Sequence, residues 1–464
     1  MGNRTLSLTP GFSRVTEVMV CKNRFSGFQS PAVNDFDREL NQRLAALREQ
    51  GLHRELRRVD SPQGPRIEIG GRMLLNFSSN DYLGLANHPA LKAAAIKAVE
   101  KFGAGAGASR LICGSLAPFH ELEETLAAFK GTEAALSFST GYAAAIGTIT
   151  ALLGKDDIII VDKLVHACIV DAARLCGAKL RVFAHNDLTD LEEILKWASR
   201  KDELHESQTK SGKLGTHVTR PSGLKHRTLI VTESIFSMDG DHAPLKEIVA
   251  LKEKHGAWLM VDEAHATGLY GKNRCGLAEE LGVSNRIEIQ MGTLGKALGA
   301  SGGYICGSRV LIDYLVNRAR SFIFSTAPVP AAAAAARAGI QLVESSEGKT
   351  RREQLWRHVQ LVGDDVRRLQ SQSKESQRLL TSSPTNGGSA IIPIILGDEA
   401  KAVATATSLR EQGFFVPAIR YPTVARGAAR LRVTLTAAHT ADDVATLTRA
   451  LAGLTSEITN LKSP

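Results

Sequence analysis

The sequence predicts an α/β protein with a mostly parallel seven-stranded sheet in a large domain and a smaller α+β portion at the C-terminal end. Three observations predict it. Seven short apolar runs alternate with helical, small-residue stretches between residues 135 and 307, the texture of strands covered on both faces by crossover helices. Residues able to do chemistry follow directly on five of those runs, and ligands of open α/β sheets gather beyond the carboxyl ends of strands. After residue 330 the texture changes to an alanine-rich helix former, charged helical sequence and one isolated apolar run, "AIIPIIL".

In chain order, residues 1–34 form an N-terminal extension in which Arg4, Arg14, Lys22 and Arg24 outnumber Glu17. That bias is compatible with a transit peptide. Leu6 stands where a myristoylation signal requires Ser or Thr. Residues 35–75 form a helix-and-hairpin segment. Phe36, Leu40, Leu44 and Leu47 recur at helical spacing until Gly51, and "RIEIGGRMLLNF" reads as a hairpin turning at Gly70 and Gly71. Residues 76–330 form the large domain, whose buried strands are "ALSFS" (135–139), "DIIIV" (157–161), "LRVFA" (180–184), "TLIVT" (228–232), "AWLMV" (257–261), "IEIQM" (287–291) and "GYICG" (303–307). The polar stretch 199–227 lacks apolar periodicity and reads as a surface insertion. Residues 331–464 form the small domain, with a loop at "SSPTNGGS".

Composition narrows the function classes. Hydrophobic residues at 43% and charged residues at 23% fit a globular chain. The net charge of +9 has no dominant basic block and aromatics are only 5%, which disfavours nucleic acid and favours a small anionic substrate. Six cysteines without a C-x-x-C pair argue against a disulfide framework or a cysteine zinc site and for a reducing compartment. No apolar run reaches membrane-span length, so the expected location is the cytoplasm, with no membrane partner.

The stretch "MGTLGKALGASGGYICGS" (291–308) sets Lys296 among small residues. It is no P-loop, because Gln290 occupies the first glycine position and Ala297 follows the lysine. Gly299 to Gly303 match the nucleophile-elbow spacing, but Ser301 precedes a strand instead of following one. "GAGAGAS" (103–109) follows a helical stretch and is weak as a nucleotide fingerprint. Elsewhere on the predicted sheet edge stand Thr140, Gly141 and Tyr142 at a helix start suited to phosphate, Asp162 and His166, Glu233 and Ser237, Asp262, Glu263 and His265, and Thr293. Asp162 and His166 lack a third ligand at metal spacing, so no metal is expected.

A phosphate site, a carboxylate, two histidines and a lysine at one edge meet the requirements of pyridoxal 5′-phosphate. A lysine among small residues loses its proton more readily. A strand-end carboxylate holds a pyridine nitrogen protonated. Glycines flanking the lysine would let a flat ring approach the backbone.

The segments "FSSNDYLGLANHP", "GAGASR", "FSTGYAAAIG", "DKLVHACIVDAA", "TESIFSMDGDHAPL", "VDEAHATGLYG", "GTLGKALGASGGYICGS" and "FIFSTAPVP" carry a resemblance to the α-oxoamine synthase family of fold-type I pyridoxal-phosphate transferases, over residues 35–455. The resemblance implies Lys296 as the lysine joined to the cofactor and as base, Asp262 on the pyridine nitrogen, His166 on the ring face, and His265 and Ser237 near the phenolic oxygen. It implies phosphate contacts from Gly141, Tyr142 and Thr293, and from Ser325 and Thr326 across a homodimer with shared sites. His265 and His166 would also orient a thioester carbonyl. "SAIIPIILGD" and "GFFVPAIRYPTVARGAARLRVTLTAAHT" resemble family members that condense L-alanine with a pimeloyl thioester, of coenzyme A or a carrier protein, in biotin synthesis. There Arg432, with Asn80 and nearby Arg420, would bind the amino-acid carboxylate. Tyr421 stands where the pattern has a second proline, and Arg426 enters the following turn. Relatives using glycine or serine with other acyl thioesters, and a non-catalytic subunit of the same fold, are the alternative readings.

Overall fold

The computed structural model describes residues 34–209, 226–371 and 388–460. Most of the predicted N-terminal extension, the centre of the predicted insertion and most of the predicted loop at 382–389 lie outside them. Contacts divide the chain into two compact units, Met1–Glu55 and Leu56–Pro464. In the first, the predicted helix spans Asp35–Glu49, where Asn34 caps the start by accepting the Asp37 N–H at 2.7 Å. Gly51, at φ +65°, lies just beyond its end.

In the second unit the predicted hairpin forms from β1 (Arg66–Ile69) and β2 (Arg72–Asn76). Its two turn residues, Gly70 and Gly71, both have positive φ, as the tight two-residue hairpin turn demands. The main sheet contains β3 (Ala134–Phe138), β4 (Ile158–Asp162), β5 (Lys179–Phe183), β6 (Thr228–Glu233), β7 (Trp258–Asp262), β8 (Ile289–Thr293) and β9 (Gly303–Gly307). Its order is β3-β9-β8-β7-β6-β4-β5. Strands β4 to β8 run parallel, and β9 is antiparallel to both neighbours, so the sheet is mostly parallel, as the sequence predicts. Two apolar clusters pack on its faces. One is built around Phe77, Tyr82 and Ile230, and the other around Phe138, Ile159 and Met260.

Three expectations are corrected. The run at 180–184 is not a buried strand: β5 is the sheet edge, and Lys179, Arg181 and Val182 are exposed. The predicted insertion begins as helix, because the helix from Leu188 continues to Thr209. Four strands also end one or two residues later than the apolar runs, on Asp162, Glu233, Asp262 and Thr293. A ladder depends on backbone groups, so a polar side chain need not end it.

The glycines around Lys296 have a structural reason other than room for a ring. A Cβ on Gly303 would lie 2.5 Å from the Gly141 Cα. Gly299 has φ +68°, and a Cβ there would lie 2.6 Å from the backbone of Leu85. These residues are bare because other backbone packs against them.

The last third carries a smaller sheet of β10 (Ile391–Gly397), β12 (Ala418–Ile419) and β13 (Ala429–Thr434), with β13 central and fully buried. Pro393 is tolerated because β10 is an edge strand. The short β11 (Phe414–Phe415) joins the hairpin by pairing parallel with β2. Among the described residues no helix is long and apolar enough to cross a membrane.

One buried ion pair fastens the main sheet. Lys130, the last residue of the helix Ala117–Lys130, donates to Glu263 and, at 2.6 Å, to the Cys275 carbonyl. Glu263 also accepts the Ala278 N–H at 2.9 Å. Burial disfavours the lysine charge, but Glu263 outweighs it and holds the pKa above the ordinary lysine value. Both side chains are 1% exposed. Lys130→Met would strand the Glu263 charge and cost about 3–5 kcal/mol in urea unfolding, whereas Lys130→Met/Glu263→Gln recovers most of it.

Candidate active site

The site is built from strand ends at one level of the sheet. Glu233 pairs in register with Asp262, and Asp262 with Met291, so the ends of β6 and β7 lie side by side, two residues short of the end of β8. Each strand then enters a tight loop. After β7, the Asp262 carboxylate accepts the Ala264 N–H at 2.9 Å. After β8, the segment carrying Lys296 is closed by Leu294 N–H to Gly302 O and Ala300 N–H to Leu294 O, both 2.9 Å.

Lys296 is half-buried, and its Nζ lies 2.7 Å from His265 Nε2. His265 Nδ1 lies 2.6 Å from the Tyr82 hydroxyl, whose proton can go on to Asn80 Oδ1 at 3.4 Å. Arg432 Nη1 donates to the same Asn80 oxygen at 3.1 Å, and its Nε donates to the Ser237 carbonyl at 2.6 Å. One hydrogen-bonded chain therefore connects four predicted residues, Lys296, His265, Asn80 and Arg432, and touches the backbone of a fifth, Ser237. The turn presenting Asn80 and Tyr82 is wound on Asp81, which accepts the Leu85 and Ala86 N–H groups at 2.7 and 3.1 Å.

Electrostatics tune this chain. Burial lowers the Lys296 pKa to about 8, with Asp262 and Glu233 opposing the shift. Burial raises Asp262 above the usual carboxylate range, and Lys296 restrains the rise. Glu233 is pushed up to about 8, by burial first and then by Asp262. His265 is held well below its ordinary value by burial and by the Lys296 charge, so it is neutral. A neutral imidazole carries one N–H, and which nitrogen bears it follows the state of Lys296. An ammonium donates to Nε2 and leaves the proton on Nδ1, facing Tyr82. A free amine can accept from Nε2–H while Tyr82 donates to Nδ1.

The other predicted residues take varied positions. His166 caps the helix Ala167–Leu175 through Nδ1, at 3.2 Å from the Cys168 nitrogen, and its own N–H is held at 2.5 Å by Glu233. Its side chain is outward-facing enough for the residue to be exposed. Gly141 and Tyr142 open the helix Gly141–Leu152, whose Thr140 cap accepts the Ala143 N–H at 3.0 Å. Their amides belong to the first turn, which has no intrahelical acceptors. The Tyr142 side chain is exposed, with its hydroxyl on Asp171 at 2.6 Å. Thr293 donates its hydroxyl proton to Gly302 O at 2.9 Å. Ser325 and Thr326 line a small cavity with Ser139 and Arg110, and Thr326 bridges to Ser109. Arg420 follows β12, and the Arg426 guanidinium lies over the Tyr421 ring at 4.5 Å, joining the two departures from the family pattern.

Sequence reasoning missed Tyr82 and gave Glu233 no role. Glu233 was visible as the residue after an apolar run, but its register with Asp262 was not. Asp162, first considered with His166, instead bonds His185 at 2.9 Å. Among the described residues no cluster of His, Cys, Asp and Glu is fit to hold a metal.

Comparison with known proteins identifies the family. The aminotransferase class I and II family matches residues 72–451. The chain is 45% identical over 417 residues to 8-amino-7-oxononanoate synthase of Geobacter sulfurreducens, covering 89% of this chain and 97% of that one. The synthase of Anaeromyxobacter dehalogenans is 45% identical over 416 residues, covering 89% and 94%. Among solved structures, serine palmitoyltransferase from S. paucimobilis with PLP and myriocin bound superposes with a TM-score of 0.78 at 27% identity, covering 92% and 99%. The 8-amino-7-oxononanoate synthase of Francisella tularensis superposes with a TM-score of 0.65 at 26% identity, covering 83% and 98%. The chain belongs to the aminotransferase class I and II family and, within it, to the α-oxoamine synthases.

Proposed function

We propose that the protein is a pyridoxal 5′-phosphate-dependent acyltransferase that condenses L-alanine with a pimeloyl thioester of coenzyme A or a carrier protein. The products are 8-amino-7-oxononanoate, carbon dioxide and free thiol, in biotin biosynthesis. The observation that carries this reading is the 45% identity, across 89% of the chain, to a synthase of that name. A second reading, an acyltransferase for L-serine and a long acyl chain, draws on the higher TM-score of the serine palmitoyltransferase, 0.78 against 0.65.

The residues fit the cofactor. Lys296 offers an amine that is partly unprotonated near neutral pH, which capture of an aldehyde needs. Asp262, buried beside it, is assigned to the pyridine nitrogen. The amides of Gly141 and Tyr142 supply a helix N-terminus for the phosphate. Thr293 joins them if its hydroxyl turns from Gly302. His166 is assigned to the ring face, and His265 and Ser237 to the phenolic oxygen. Ser325 and Thr326 are assigned to the phosphate of a second subunit, so the reading includes a homodimer. It also includes a cytoplasmic, reducing setting, and Cys113, Cys168, Cys176, Cys275 and Cys306 are all free thiols.

Bound there, pyridoxal phosphate supplies an electron-poor ring that stabilises negative charge at the substrate Cα. Lys296 Nζ takes and returns the Cα proton, a task matched to a base near neutrality. His265 and Tyr82 adjust their shared protons as the lysine changes charge. The Arg432 guanidinium is buried, and its hydrogen bonds among the described residues go to neutral acceptors. That charge is suited to the amino-acid carboxylate, with Asn80 fixing its plane and Arg420 nearby. His265 and His166 orient the thioester carbonyl, where negative charge develops.

Thiol release should be fastest with L-alanine and a pimeloyl thioester, by roughly tenfold over glycine or L-serine, a gap of one pocket contact. A clear preference for either of those would replace the substrate assignment and leave the family standing. Borohydride treatment of the holoprotein should fix the cofactor to the peptide containing Lys296. In cofactor-free protein, acylation of Lys296 should rise about tenfold per pH unit and level off above about 8. The ammonium dominates below that pH and is unreactive, so a plateau only above pH ~10 would remove Lys296 as a base near neutrality. Arg432→Lys should raise KM for L-alanine by about tenfold or more with a smaller change in kcat, through loss of the planar fork.

A further inference from the structure

His185 lies on the loop after β5, outside the set of residues assigned above. Its Nδ1 is 2.9 Å from Asp162 Oδ1 and its Nε2 is 2.7 Å from Asp241 Oδ2. Both partners are acceptors. A neutral imidazole could donate to one and would turn a lone pair on the other, so the two short carboxylate contacts favour a proton on each nitrogen over the longer approach of Asn186 Nδ2 to Nε2 at 3.3 Å. Asn186, held at φ +56°, doubles the link. Its N–H goes to Asp162 Oδ2 at 2.9 Å, and its Nδ2 goes to Asp241 Oδ2 and the His242 carbonyl, both at 3.1 Å. The Phe236 ring packs perpendicular to the imidazole, with ring centroids 4.4 Å apart. Burial works against its charge, but the two carboxylates prevail and hold the pKa at about 10.

The two carboxylates belong to different arms of the site. Asp162 ends β4 and organises the turn after it, accepting the Leu164 N–H on Oδ1 at 2.8 Å and the Val165 N–H on its carbonyl at 3.3 Å. That turn delivers His166. Asp241 closes the loop after β6, where Phe236 N–H donates to the Asp241 carbonyl at 3.0 Å and Ile235 bridges to His242. That loop carries Ser237, whose carbonyl holds Arg432. We propose that His185, hydrogen-bonded to Asp162 through one ring nitrogen and to Asp241 through the other, is a positioning residue that ties the His166 turn to the Ser237 loop and so sets the shape of the cofactor pocket. The inference rests on the functional reading above.

The test uses His185→Gln, Asp241→Asn and the double variant. At pH 7.5 His185→Gln should bind pyridoxal phosphate roughly tenfold more weakly, the order of losing a charge-assisted network, with a shifted absorbance band. The double variant should recover affinity over His185→Gln, because it replaces a charged pair by amides. Equal affinity and an unchanged spectrum in His185→Gln would overturn the proposal, as would a double variant no better than the single one. A purely structural role predicts a fall in folded protein with no shift of the absorbance band in the folded fraction. Should His185→Gln fail to fold, nitrogen chemical shifts of His185 in the wild-type apoprotein decide. Both nitrogens should stay protonated through pH 8, and a neutral ring at pH 7 would sink the idea. Wild-type protein that fails to bind pyridoxal phosphate would refute the functional reading, a result distinct from equal binding by wild type and variant.

Discussion

Two carboxylates at one level of a buried sheet edge constrain everything around them. Glu233 and Asp262 end neighbouring parallel strands in direct register, at 2% and 6% exposure. Like charges so close and so dry cannot both persist without a counter-charge. The chain answers with Lys296 from the third strand's loop and with the His166 N–H on Glu233. The consequence is shared titration. Burial pulls the amine down to about 8 against the pull of both carboxylates, and Glu233 climbs to about 8, so protons are exchangeable across the site near physiological pH.

Much of the scaffold was legible because burial and turn chemistry leave strong marks. The seven apolar runs became the seven strands, and the Gly70 and Gly71 pair gave the hairpin turn. The edge position of β5 was not legible, since an apolar run does not say how many neighbours will cover it. Its alternating Lys179 and Arg181 were the available hint. The continuation of the helix from Leu188 to Thr209 was masked by polar sequence, because a helix with a solvated face needs little apolar periodicity.

The chemistry of the site was legible as a list, and its wiring was not. Residues after apolar runs could be named one strand at a time. Tyr82, which the structure puts on His265, comes from a turn far upstream and follows no strand of the main sheet. Arg432 and Asn80 are 352 residues apart, and the arginine donates to the asparagine oxygen. Pairings across such distances depend on how the small sheet lies against the loop after β6, information that single-residue patterns do not contain. The same holds for Asp162, whose nearest histidine in sequence was not its partner.

The contact between Gly141 and Gly303 works as a ruler. The helix start with the Gly141 and Tyr142 amides rests directly on the backbone of the strand that leaves the lysine loop, with no side chain between them. The span from those amides to the start of β9 is therefore set by backbone packing, and cannot be retuned by swapping a neighbouring side chain. Evolution of new substrates on this framework would have to leave that span alone and work on the loops that face it.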